Sequence, residues 1–187
     1  LALAVALATF VAFLPALQND FLGWDDVHNI VENENFRGLG PSQLKWMFTT
    51  CHMGPYQPLS WMTLAGDYLV WGLSPFGYHL TNAVLHAVNA SLLFLVTLAL
   101  LNAGVSGHGV PGSTPVICAA FAALFYSLHP LRVESVAWVT ERRDVLCGFF
   151  VLLSVLLYVK ACVPGLAAKR RRGRLIGAIL AYAGSLL

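Results

Sequence analysis

Two short stretches of this chain carry residue types suited to chemistry at a membrane surface. The first is Trp24-Asp25-Asp26, with His28 and Glu32 downstream. Adjacent carboxylates cannot both ionise without cost, so one of the pair suits proton uptake, or the two could hold a divalent cation. The same dipeptide is also an ordinary loop sequence and an effective helix N-cap. The second stretch is His129-Pro130-Leu131-Arg132-Val133-Glu134, running on to Asp144. A guanidinium offers a planar fork to phosphate oxygens, so Arg132 beside His129 and Glu134 fits a lipid-linked phosphate. Interfacial charges pairing with one another, Glu141 with Arg142 or Arg143, would explain it equally well. Pro130 is expected to open a helix on which Glu134, Trp138 and Glu141 share a face. A third feature is the polar stripe His79, Asn82, His86, Asn89, whose spacing of three, four and three places it on one side of a helix. Hydrogen-bonded glue between helices is the reading for His86 and Asn89. His79, nearer the helix start, stays open as a functional residue.

The elements that must position these groups are apolar. The chain has 187 residues, 58% hydrophobic and 11% charged, too apolar for an ordinary soluble core. Spans are expected at about 1–17, 76–101, 114–131, 145–162 and 175–187, the first and last looking cut, as in a fragment of a longer protein. Leu1 to Leu17 lacks the basic start and cleavage site of a signal peptide. Charge is sorted by segment: all nine acids fall in 20–67 and 134–144, and six of the eleven basic residues crowd into 160–174. The basic run Lys169 to Arg174 marks a cytoplasmic loop, 163–174, and 102–113 is a Gly-rich connector on the same side. Counting spans from there puts the loops 18–75 and 129–144 together on the extracytoplasmic face. Within the longer loop, Gln57 to Trp71 reads as an interfacial helix and Leu73 to Gly77 as the turn into the second span. Trp24, Trp46, Trp61, Trp71, Tyr56 and Tyr68 read as aromatics at the headgroup level. The fold class is therefore an all-α polytopic membrane protein with a long first loop.

Several chemistries are disfavoured. Cysteines 51, 118, 147 and 162 have neither zinc-site nor disulfide-framework spacing, and His79 with His86 is not an HExxH motif. The basic run lacks interleaved aromatics, so nucleic acid is not an expected partner. Asn89-Ala90-Ser91 spells a glycosylation sequon, but inside a span.

The ordered series Asn19-Asp20-Phe21, Trp24-Asp25-Asp26, Tyr56-Gln57-Pro58-Leu59-Ser60-Trp61, Phe76 to Asn82 with His86, and His129 to Trp138 through Glu141-Arg142-Arg143-Asp144 resembles the membrane half of the transmembrane and tetratricopeptide-repeat proteins. These are similar to the protein O-mannosyltransferases and to the GT-C glycosyltransferases. The resemblance covers nearly the whole chain and implies a GT-C-like helix bundle followed by tetratricopeptide repeats. It implies transfer of a sugar, mannose first, from a polyprenyl or dolichyl phosphate carrier to Ser or Thr hydroxyls of an acceptor protein outside the cytoplasm. On that resemblance Asp25, Asp26 and Glu134 are the catalytic carboxylates, and His129 and Arg132 hold the donor phosphate. His79, Asn82, Trp24, Tyr56 and Glu141 support them, and any metal would sit on Asp25 and Asp26. No tightly bound cofactor is expected; the lipid-linked sugar phosphate is the donor substrate, and a divalent cation could take part. The wording Trp-Val-Thr-Glu-Arg-Arg-Asp is closer to prokaryotic members, which points to a bacterial inner membrane, or to the endoplasmic reticulum if the source is eukaryotic. A transporter or flippase-like carrier, with the His79–Asn89 stripe along its path, and a non-catalytic membrane scaffold are the rival readings.

Overall fold

The computed structural model describes residues 1–105 and 112–187, and among them every regular element is helical. Residues 106–111, in the centre of the expected connector, lie outside the described residues. The order is α1 (Ala2–Ala12), a 3-10 turn (Leu14–Gln18), a π turn (Val27–Val31), α2 (Pro41–Thr49), α3 (Pro58–Trp71), α4 (Pro75–Val105), α5 (Thr114–Ser127), α6 (Arg132–Ala137), a 3-10 turn (Val139–Glu141), α7 (Arg142–Ala161) and α8 (Ala168–Ser185).

α4 is the central element, with α1, α5 and α7 packed along it and α8 packed on α7. Small residues permit the close approaches: Ala90, Ala119 and Ala123, with Val5 and Phe94, form the buried seam of α1, α4 and α5. Gly148 on α7 faces Asn89, whose amide nitrogen would lie 3.2 Å from any added Cβ. Among the described residues two helices are long and apolar enough to cross a membrane, Pro75–Gly104 and Val139–Ala161. α1 and α5 are apolar but have 11 and 14 residues. At 1.5 Å per residue they reach only about 16 and 21 Å of a hydrocarbon core about 30 Å thick. Their outward faces are nonetheless apolar stripes, Leu3-Leu7-Val11 and Ile117-Phe121-Phe125, all exposed.

Several boundaries depart from expectation. The first apolar run stops being α-helical at Ala12 because Pro15 turns the chain into a 3-10 segment. The third ends at Ser127, short of 131. The basic run is not loop: Pro164 and Gly165 make the turn, and Ala168 to Arg174, all good helix formers except Gly173, are the first two turns of α8. Gly72, at φ +60°, ends α3, and Pro75 already opens α4, so Gly77 lies inside the helix rather than in the turn. A Cβ at Gly77 would stand 2.2 Å from the Trp71 ring, which is why glycine is needed there.

The segment between α1 and α4 folds as a cap with a core of its own. Ile30, Phe36, Met47, Trp61, Leu64, Ala65, Tyr78 and Val139 are buried together. Burying a side chain such as Ile30 or Phe36 contributes roughly 1.5–3 kcal/mol. Trp61 is fully buried here and Trp46 half-buried against it, with ring centroids 5.2 Å apart, so neither lies freely at a headgroup level. Trp24 and Trp71 are exposed. The N–H of Leu59 in α3 donates to the Leu187 carbonyl at 3.3 Å, bringing the end of α8 back to the cap. At the other end Arg174 donates to the Lys160 carbonyl at 2.5 Å, so the basic run sits at the pole opposite the cap.

Candidate active site

The two stretches singled out in the sequence meet. Asp26 is fully buried, and its Oδ1 accepts from the Thr140 backbone N–H at 2.8 Å and the Thr140 hydroxyl at 2.6 Å, while Oδ2 accepts from the Leu22 N–H at 3.0 Å. Asn29 donates to the Thr140 hydroxyl at 3.5 Å, and the Trp24 and Trp138 rings lie 6.2 Å apart. Asp26 thus fastens the first loop to the second. Asp25 beside it is half-buried and makes no hydrogen bond or ion pair among the described residues. The two neighbouring carboxylates therefore have different jobs open to them, one held and one free.

The Asp26–Thr140 fastening gives a stability expectation. Thr140→Val removes the hydroxyl donor from a buried carboxylate and should lower stability by roughly 1.5–3 kcal/mol. Thr140→Ser should stay close to the parent, and thermal unfolding of the detergent-solubilised protein measures both.

The donor-side residues are placed less tightly. Arg132, half-buried, lies with its guanidinium 4.9 Å above the Tyr126 ring and has no ion pair. His129 accepts the Leu131 N–H on Nδ1 at 3.2 Å and packs edge-on to Phe125. Glu134 is exposed. Among the described residues no hydrogen bond, ion pair or ring contact joins Arg132, His129 or Glu134 to Asp25 or Asp26. An open apolar cleft of about 500 Å³ lies next to them, between the turn after α1 and α6, lined by Phe13, Pro15, Ala16, Asn19, Leu128 and Val133 among others. The Tyr56 hydroxyl, on the cap, donates to the Phe48 carbonyl at 3.2 Å.

The expected common face of Glu134, Trp138 and Glu141 is not formed. α6 ends at Ala137, because Trp138 is extended (φ −95°, ψ 117°) and the chain restarts as a 3-10 turn. Glu141 instead accepts from Arg143 at 2.6 Å. Arg142 does not pair with Glu141. It is fully buried and donates to Asp67 at 2.7 Å, to the Tyr78 carbonyl at 2.9 Å, to the Thr63 hydroxyl at 3.4 Å and to Asn82. Thr81 donates to the other Asp67 oxygen at 2.7 Å, and Asn82 donates to the Val136 and Trp138 carbonyls at 3.2 and 3.3 Å. One guanidinium therefore ties α3, α4 and the second loop together. The signal for it was a lone Asp67 in an otherwise apolar helix, which cannot be buried without a cation.

The stripe on α4 is buried throughout. His86 Nε2 bonds the Ser127 carbonyl at 2.9 Å, Ser127 bonds Thr9 at 2.8 Å, and Asn89 donates to the Val145 carbonyl at 2.8 Å. Asn82, His86 and Asn89 are thus glue. His79 sits beside the carbonyls of Asn19 and Asp20, within electrostatic reach of Asp26, with neither ring nitrogen in hydrogen-bond geometry. The donor set does not fit a metal ion: Asp26 is turned onto N–H and O–H groups, and no three His, Cys, Asp or Glu side chains converge among the described residues.

Protein O-mannosyl-transferase TMTC4 of Mus musculus is 31% identical over 171 residues, covering 85% of this chain and 23% of the relative, and the Homo sapiens TMTC4 is 32% identical over the same shares. The Drosophila melanogaster protein O-mannosyl-transferase Tmtc3 is 29% identical over 85% of this chain. The chain is a homologue of the TMTC proteins. It spans about a quarter of the length of the TMTC4 relatives. No family model matches the chain, and no solved structure matches it significantly.

Proposed function

We propose that the chain carries the donor half of the active site of a membrane glycosyltransferase, which moves a sugar, mannose by relation to the TMTC proteins, from a polyprenyl or dolichyl phosphate to a Ser or Thr hydroxyl of an acceptor protein. The observation that carries this reading is the unlike treatment of two adjacent carboxylates: Asp26 locked onto Thr140, Asp25 left without a partner at the same junction. Asp25 takes the proton of the acceptor hydroxyl as its oxygen attacks the anomeric carbon. The bond from that carbon to the phosphate oxygen breaks, and the lipid phosphate leaves with the electron pair. Arg132, free of any carboxylate, and His129 meet the phosphate charge, while the apolar cleft beside α6 takes the first isoprene units. Glu134, exposed in the same loop, is a secondary carboxylate for acceptor binding. No metal enters this scheme.

The reading includes a topology. The chain contributes five membrane passages of a GT-C-like bundle, the short α1 and α5 among them, with the cap and the second loop on the extracytoplasmic side and the basic start of α8 in the cytoplasm. Repeats following the bundle would present the acceptor. The stripe on α4 is packed in protein, with His86 and Asn89 bonded to the carbonyls of Ser127 and Val145, which favours this reading over a transporter path along it. The deciding experiment is sugar transfer by the full-length protein from purified lipid-phosphate mannose to an acceptor peptide. Arg132→Ala should raise the KM for the lipid donor by about tenfold or more, the worth of a charged hydrogen bond, and leave acceptor KM unchanged. Unaltered donor KM would remove Arg132 from the scheme.

A further inference from the structure

The pole opposite the cap is as strongly marked as the cap itself. Lys169, Arg170, Arg171 and Arg172 are exposed on the first turns of α8, with no acid in the first turn and no ion pair among the described residues. All nine acids of the chain are at 20–67 and 134–144. Like charges three and four residues apart repel along a helix, and the positive end of the helix dipole adds to the repulsion. An external anion is the missing partner.

The surroundings of this cluster say which kind. Arg174 donates to the Lys160 carbonyl, bringing the cationic run against the last turn of α7. Two apolar clefts open there and share one wall, Tyr158. One, of about 580 Å³, lies between the ends of α4 and α7, with Leu100, Ala103, Val159 and Val163 in its walls and Lys160 at its rim. The other, of about 440 Å³, lies between α7 and α8, with Val155, Leu175, Ile179 and Tyr182 in its walls, one residue below Arg174. A single cationic head position above two apolar slots matches one phosphate carrying two acyl chains, and neither a free phosphate nor a polyanion needs such slots.

We propose that this pole is a binding site for an anionic diacyl phospholipid, its phosphate between Lys160, Arg174 and the basic turns of α8, and one acyl chain on each side of Tyr158. This rests on the reading of the chain as membrane-embedded but not on its catalytic assignment. Charge complementarity commits the clefts to that occupant.

The test uses the full-length protein in mixed phosphatidylcholine and phosphatidylglycerol vesicles, extracted gently and weighed with its retained lipid by native mass spectrometry. Phosphatidylglycerol should be retained at least tenfold over phosphatidylcholine, and should raise the melting temperature where inorganic phosphate does not. The combined variant R170Q, R171Q, R172Q and R174Q should bring the ratio near one, whereas the four Lys replacements should keep it. Ala103→Trp narrows one cleft without changing charge and should lower retention even if the Gln variant fails to insert. Equal retention of both lipids by the parent protein would mean ordinary annular solvation and overturn the proposal. So would protection by inorganic phosphate alone, or undiminished selectivity in the Gln variant. Sugar transfer measured in parallel in phosphatidylcholine vesicles reports separately on the catalytic reading.

Discussion

Asp25→Asn in the full-length protein should lower the rate of sugar transfer at saturating donor by about 10²–10⁴-fold, the usual worth of general-base assistance. The substitution keeps size and shape, and removes only the ability to accept a proton. Since Asp25 makes no hydrogen bond among the described residues, melting temperature and expression should not change. Asp26→Asn should behave in the opposite way. Its side chain would turn an N–H donor towards the Thr140 and Leu22 donors, or lose the charge that they stabilise, so the expected loss is in stability first. Transfer that survives in the Asp25 variant, or a fold that collapses with it, would end the assignment of Asp25 as base. If neutralising both aspartates left every measured property untouched, a scaffold role would be the better reading.

Arg142→Met should cost about 3–5 kcal/mol, because it strands Asp67 in a buried site without its counter-charge. That is a large part of the 5–15 kcal/mol by which domains are usually stable, so poor accumulation or a much lowered melting temperature is the expected result. Arg142→Lys should recover little. An ammonium can meet Asp67 but cannot also serve Asn82, Thr63 and the Tyr78 carbonyl through one planar fork. The double change Arg142→Met with Asp67→Leu should be milder than Arg142→Met alone, since no charge is left unpaired. Equal stability of the single and double variants, read from thermal unfolding, would mean that the ion pair is not what the guanidinium is for.

The helical class and the order of the elements were legible because apolar runs and Pro-opened helices are local signals. Gln57 to Trp71 became α3, and the long run from Phe76 became α4, almost at the expected bounds. The basic run is helix where its charge suggests a loop, because Ala, Lys and Arg favour helix and Pro164-Gly165 already supply the turn. The type of Trp61 suggests a lipid surface, and nothing near it in the sequence shows that Phe36 and Met47 enclose it. The choice of Asp67 as partner for Arg142 spans 75 positions, and that of Thr140 for Asp26 spans 114, distances at which no periodicity carries information. The two aspartates were visible as a pair; which was to be clamped was written in Thr140.

The separation between Asp26 and Thr140 also bears on how the protein is made. In the proposed topology the first loop is delivered across the membrane before its fastening exists, for Thr140 lies 114 residues after Asp26. At about 5–20 residues per second that is a delay of roughly 6–23 s. During it Asp26 has no Thr140 to meet, and Asp67 waits 75 residues for Arg142. A ribosome stalled before residue 140 should therefore leave the early loop open to protease on the far side, and its protection should appear abruptly as Thr140 and Arg142 emerge.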